Sequence, residues 1–395
     1  MSRPSTKGYF VRERLVEARD ALGITQQELA QALGKSDSTI SNWETGHQSP
    51  EPISLQRLST TLNLPTQYFL RTMPEYGSCA IFFRSLANAA ARARTREKAR
   101  MRWLQHASLA LQSILDFPPV NFPQLLAEDG YGRLSFADLE EIATDVRKYW
   151  NLGEGPISSM VLVAENAGVV FGIDRLGSTS IDGQSTWCSF DNRPYILLNS
   201  DKYTAFRRQM DVAHEISHLI LHNGVTETAL ERDFDLIEAQ AKYLANAILL
   251  PHKSFSAELY SLSLDGLLSL KPRWKVSVGA MIMRAHQLDI LSDEAERRLW
   301  KYRASRGWHR REPYDLPTET PVEEPRLLRR SIEMLVTQKI RSTADLLYSD
   351  ICLPAVDLEM IAVLPRGYFG ISGNVTPLIR LKEESGTVVP FKRST

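Results

Sequence analysis

Two histidines and a glutamate in His214-Glu215-Ile216-Ser217-His218 have the spacing a helix needs to aim two imidazoles at one point. Residues i and i+4 stand one above the other on a helical face, so His214 and His218 can share an ion, with Glu215 beside them. The chemistry that set suits is zinc-assisted hydrolysis. Zinc lowers the pKa of a water it polarises to about 7, and Glu215 would take that water's proton as it attacks a carbonyl. Met210, Val212, Ala213, Ile216, Leu219, Ile220 and Leu221 around the motif are apolar, as a buried helix requires. The bland alternative is a chance match, with both histidines as satisfied core residues.

A catalytic zinc takes three protein ligands and keeps a fourth position open. His222, at i+8, lies roughly 12 Å along the axis from His214 at about 1.5 Å rise per residue, too far to share an ion held at about 2 Å. Asn223-Gly224 ends the helix there, where a partly protonated His222 would suit the dipole. The acidic candidates are Glu231, Asp233, Asp235 and Glu238. The first three fall in a connecting segment expected to be solvated. Glu238 falls in the next helical run, from which a carboxylate would complete a His2Glu set. Spacing alone does not choose among them.

The elements that must position these residues can be read from periodicity. Helices are expected over Leu134 to Trp150, Thr204 to His222 and Asp235 to Leu250, and strands at Gly168 to Gly172 and Tyr195 to Asn199. Met160 to Val163 fits a strand or a helix. Upstream, Leu15, Ala18 and Leu22 recur at helical spacing, and Thr25-Gln26-Gln27-Glu28 has the form of a capping box. Leu29, Ala30 and Leu33 face inward before Gly34; Ser36 or Asp37 caps the next helix, through Ile40 and Trp43 to Gly46; Leu55, Leu58 and Leu62 line a fourth.

Ile81 to about Phe117 reads as helical and basic, with Arg84, Arg92, Arg94, Arg96, Lys98, Arg100 and Arg102 offset mainly by Glu97. Such a helix could track phosphates, on duplex DNA or on a single strand acting as a signal. The commoner meaning of a charge run is a solvated helix paired with acids elsewhere. Composition restricts the rest. Lysine plus arginine equals aspartate plus glutamate, 47 each, so whole-chain charge offers nucleic acid nothing. Cys79, Cys188 and Cys352 form no CxxC pair, which fits a reducing cytoplasm rather than a disulfide scaffold. No apolar stretch approaches a membrane span.

The run Arg208 to His222 resembles the ImmA/IrrE family of metallopeptidases, as does Glu238-x-x-Ala241-x-x-Leu244-Ala245 leading into Leu249-Leu250-Pro251. Tyr195 to Asn199 matches the strand before the active helix, and Leu270 to Val278 resembles a small helical domain after the core. The likeness covers about residues 135–310. It implies Glu238 as the third zinc ligand, Glu215 as general base, and a protein substrate, often a repressor. Ser217 stands where a glycine is usual, Lys242 for a common asparagine and Leu244 for a common phenylalanine; none of these removes a ligand or the base. The rival reading is a non-catalytic regulator or antitoxin-type repressor whose zincin domain senses a ligand or partner.

Residues 9–70 resemble the XRE/Cro-type helix-turn-helix, through Thr25 to Ala30, Gly34, Thr39 to Gly46, Pro50 and Leu55. The likeness implies a recognition helix from about Asp37 to Thr45, with Asp37, Ser38 and Asn42 at base edges. Gln26 would contact backbone or an adjacent base, and Ser36, Thr39 and Ser41 would donate to phosphates. Residues 1–70 are nearly neutral, which a homodimer would offset by doubling its contacts to duplex DNA. The expected architecture is multidomain and mainly α. An all-α helix-turn-helix domain spans 1–75 and a basic helical connector 76–133. An α+β zincin-like domain ending in a small helical domain spans 134–310, a linker 311–330 and an α+β tail 331–395.

Overall fold

The computed structural model describes residues 9–77, 80–83, 91–125, 130–175, 183–201 and 204–370. Cys79, Arg84 and the tail beyond Gly370 lie outside the described residues. The chain opens with α1 (Arg12–Ala21), α2 (Gln26–Leu33), α3 (Asp37–Thr45) and α4 (Pro52–Leu62), followed by a 3-10 turn at Thr66–Leu70. Local chemistry sets these bounds. Thr25 accepts from the Glu28 amide at 3.1 Å while its own amide donates to the Glu28 carboxylate at 2.7 Å, closing the capping box. Gly34, at φ +64, takes the left-handed conformation that ends α2, and Ser36 caps α3. Leu15, Ala18, Leu29, Ala30, Ile40, Trp43, Leu58 and Leu62 are buried between the helices.

The connector is not one helix from Ile81. Phe82–Phe83 forms an edge strand, β1, and the helix α5 runs from Ala91 to Gln112. The other strands are β2 (Val170–Asp174), β3 (Gly183–Cys188) and β4 (Arg193–Asn199), in the order β1-β3-β4-β2. β4 runs parallel to β2 and antiparallel to β3, which pairs antiparallel with β1. Side chains on β4 alternate between two cores: Tyr195 and Leu197 pack towards α5, while Ile196 and Leu198 join the core on the opposite face of the sheet. Gly172 permits the close approach of α5, since a Cβ there would lie 3.0 Å from both Leu104 and Leu197.

β3 is a polar strand that is nonetheless buried. Gln184 Nε2 donates to the Glu97 carbonyl at 3.1 Å and Thr186 Oγ1 to the Ala80 carbonyl at 3.0 Å. On the other side lie α6 (Phe136–Tyr149), α7 (Met160–Asn166), α8 (Ala205–Leu221), α9 (Glu227–Arg232) and α10 (Phe234–Leu249). The ambiguous run at Met160 is thus a helix, capped by Ser159. The small helical group after them comprises α11 (His252–Glu258), α12 (Leu264–Trp274), α13 (Val278–Gln287) and α14 (Asp293–Ser305).

Residues 311–330 are not a free linker. Lys271 Nζ donates to Glu312 at 2.9 Å, Asp315 at 2.6 Å and the Pro313 carbonyl at 2.8 Å. Glu312 in turn accepts from the Val278 and Gly279 amides at 2.9 and 3.2 Å, capping α13 from a distance. Beyond it come α15 (Leu327–Thr337), α16 (Thr343–Asp345) with a π-helical turn Leu346–Asp350, and α17 (Ala355–Ile361). The expected α+β tail is helical over its described part and packs into the body. Leu328, Ile332, Leu335, Ile351 and Leu358 share one core with Trp103, Leu104 and the helix-turn-helix residues Tyr68 and Phe69. Apolar residues at helical spacing give these helices an inner face that must be covered. Among the described residues, no helix is long and apolar enough to cross a membrane.

Candidate metal centre

α8 leaves β4 through Thr204, whose side chain accepts from the Arg207 amide at 3.2 Å. α10 packs against it, and Glu238 projects from α10 towards the two histidines. His218 Nε2 lies 3.1 Å from Glu238 Oε1, His214 Nε2 3.5 Å from Glu238 Oε2, and the two Nε2 atoms 3.1 Å apart. One ligand atom from each residue lies within 4.8 Å of the others. Two imidazole nitrogens and a carboxylate oxygen are a donor set that suits zinc better than a hard, oxygen-seeking cation. The other acids stand apart: Glu231 lies in α9, exposed Asp235 opens α10, and Asp233 accepts from the Tyr131 hydroxyl at 2.7 Å.

Glu215 is 3% exposed and sits beneath β3. A Cβ at Gly183 would lie 3.2 Å from Glu215 Oε1, so glycine at the head of β3 keeps room for the carboxylate. Ser217 meets its departure from the usual glycine by donating to the Ala213 carbonyl at 2.8 Å, which leaves no buried hydroxyl unpaired. Burial alone would raise the Glu238 carboxyl, but the two imidazoles beside it outweigh that and hold it well below the ordinary carboxylate range. Burial pushes His218 down, against the opposing pull of Glu238.

His222 departs from expectation. It is 1% exposed, and burial, with His218 alongside, pushes it down to about 3. It is therefore a neutral interior ring rather than a partly protonated helix end. Its Nδ1 lies 3.1 Å from His218 Nδ1 and its Nε2 3.1 Å from Gln240 Oε1. Phe82 of β1 stacks on His218, centroids 4.7 Å apart and planes 9° apart. Gln240, Gly183 and Phe82 are site neighbours that no motif marked. The i+8 position of His222, one further turn along the helix, was the available signal for the first.

On the helix-turn-helix, Asp37, Ser38 and Asn42 of α3 are exposed, with Ser41 and Thr39 partly so. Ser36 accepts from the Thr39 amide at 3.3 Å and contacts the Ser38 and Thr39 hydroxyls at 2.9 Å, so it is engaged in the cap. Gln26 Nε2 donates to Glu44 at 2.7 Å, and Arg19 donates to the same carboxylate. The basic run of α5 departs from a phosphate-tracking stripe. Arg100 is 2% exposed and ion-paired to Asp174 and Asp357; Lys98 meets Glu227 at 2.5 Å; Arg92 meets Glu28 at 2.7 Å and the Gly23 carbonyl at 2.8 Å. Arg94 and Arg96 are partly buried. α5 lies between the sheet and α1, so its cations tie the two domains together.

The fold and the site define a class: a helix-turn-helix domain joined to a domain whose His214, His218 and Glu238 could hold a metal ion. Residues 15–69 match the helix-turn-helix family model, and residues 164–286 match the model of the IrrE N-terminal-like domain. The chain thus carries an XRE-type helix-turn-helix followed by an IrrE/ImmA-like peptidase domain. Over 58 residues it is 38% identical to the HTH-type transcriptional regulator ImmR of Bacillus subtilis (strain 168). That similarity covers 15% of this chain and 46% of ImmR, so the chain spans about half the length of the curated relative it matches.

Proposed function

We propose that this chain is a DNA-binding regulator whose second domain is a zinc endopeptidase acting on a protein partner, a repressor being the class the family resemblance implies. The observation that carries the reading is the convergence of His214, His218 and Glu238 within 4.8 Å, on a helix that also carries buried Glu215. Zinc, when bound, supplies Lewis acidity for a peptide carbonyl and an acidified water. Glu215 takes the proton of the attacking water and returns it to the leaving amine. Asp37, Ser38 and Asn42 read base edges, with Ser41 and Thr39 at the backbone; this rests on their exposure along α3 and on the helix-turn-helix match. Gln26 serves this surface through Glu44, orienting α2 against α3.

The test compares the cellular proteins cleaved in the presence of wild type and of Glu215→Gln. Wild type should yield a specific product that the variant forms about 10²–10⁴-fold more slowly while retaining zinc. Burial of Glu215, His214 and His218 favours a second reading, a zinc-holding sensor without turnover. Equal cellular behaviour of wild type and a zinc-loaded Glu215→Gln variant would select it.

A further inference from the structure

His222 is too far from His214 to be a ligand, and the hydrolysis above does not use it. It is nonetheless buried beside His218, in a chain of contacts whose donors and acceptors follow from the chemistry of their partners. Gln240 Nε2 donates to the carbonyl of Tyr131 at 2.8 Å. That contact fixes the amide, because a carbonyl oxygen cannot donate to another carbonyl. Gln240 Oε1 therefore faces His222 Nε2, 3.1 Å away, as an acceptor, and this ring, 1% exposed, keeps its single proton on Nε2. His222 Nδ1 is left as a lone pair. His218 Nδ1 lies 3.1 Å from it and donates, so the singly protonated ring presents Nε2 as its lone pair. Nε2 is the atom that faces His214 and Glu238 at 3.1 Å each.

We propose that His222 and Gln240 are positioning residues for the metal centre: the relay Tyr131–Gln240–His222 locks His218 in the tautomer whose Nε2 lone pair is free for zinc. The inference rests on the metal reading of the site, but the tautomer can be read without metal. Phe82, stacked on His218, and Tyr131, edge-on to His222 with centroids 5.7 Å apart, pack against the two rings and limit their rotation. The role is an outer-shell one, in which a ligand's second nitrogen is held by a partner. Here the partner is another imidazole rather than the usual carboxylate.

The experiment uses the full chain labelled with 15N-histidine and freed of metal. Ring 15N shifts should show His218 protonated at Nδ1 and His222 at Nε2. In His222→Leu, zinc affinity measured by competition with a chromophoric chelator should fall by about 10–100-fold. His222→Asn places an acceptor near the lost Nδ1 and should recover most of that loss. An unperturbed packing residue would show no such difference between Leu and Asn. His218 protonated at Nε2 in the metal-free wild type would overturn the proposal, and this reading needs no variant to fold. So would a folded His222→Leu protein that binds zinc as wild type does. A wild type that binds no zinc, yet shows the relay tautomers, would contradict the metal reading instead.

Discussion

Each residue of the centre carries a distinct liability. In the proposed centre Glu238 would contribute the charge that balances the ion, so Glu238→Ala should weaken zinc binding far more than it lowers the melting temperature, as competition titration and thermal denaturation would show. Gly183→Ala should move the Glu215 carboxylate, because the new methyl would stand 3.2 Å from its oxygen. The expected result is slower cleavage with zinc content unchanged. Glu97 presents a pH effect away from the centre. Burial, with Asp174 adding to it against the pull of Arg96 and Arg100, pushes its carboxyl up from 4.5 to about 8. Between those values the folded chain holds a proton that the unfolded chain has released, so its contribution to stability is full below 4.5 and lost as pH rises through about 8. Glu97→Gln should therefore gain melting temperature relative to wild type as pH rises from about 6 to about 9. Parallel curves for the two proteins would contradict that assignment.

At the scale of elements, the helix-turn-helix depends on its caps. Thr25→Ala removes the side-chain half of a capping box, leaving the residue 25 amide to donate to Glu28, and should cost about 1 kcal/mol, measurable by denaturant melting of the full chain. Losing Ser38 and Asn42 from α3 should weaken operator binding without altering that melt, which footprinting would read. These helices were legible in the sequence because their signals are local: a cap, an apolar face of period 3.6 and a left-handed glycine at Gly34. The same held for α8 and α10, and the i, i+4 histidines marked two of the three residues that could hold a metal. β3 was not legible, since Gln184, Ser185 and Thr186 show no apolar alternation, and the carbonyls that accept from Gln184 Nε2 and Thr186 Oγ1 belong to the distant Glu97 and Ala80. The basic face of α5 misled for a related reason. Whether an arginine meets solvent or a distant Asp174 and Asp357 depends on tertiary contacts that a run of like charge does not encode. The choice of Glu238 came from family likeness rather than spacing, and the neutrality of His222 from burial by β1 and α10.

The whole molecule is held together across the divisions its sequence suggests. Arg71 of the helix-turn-helix side donates to the carbonyls of Ser349 and Asp350, and His106 of α5 contacts the Ile351 carbonyl at 2.7 Å. The C-terminal helices bury Leu328, Ile332, Leu335, Ile351 and Leu358 in the shared core. At about 1.5–3 kcal/mol for each such side chain, their burial rivals the roughly 5–15 kcal/mol by which a domain is stable. Truncation after residue 310 should therefore give insoluble or molten protein, as size-exclusion chromatography and near-UV circular dichroism would report. A soluble, cooperatively melting truncation would show the tail to be dispensable. The proposal that the second domain carries a zinc centre built by His214, His218 and Glu238 is tested most directly by metal analysis of the purified full chain. Mass spectrometry of the metal content should find about one zinc per wild-type chain. The same measurement on His218→Ala and Glu238→Ala, each folded, should find that zinc largely lost. A wild type that takes up no zinc, or a Glu238→Ala protein that holds it as tightly as wild type, would contradict the account.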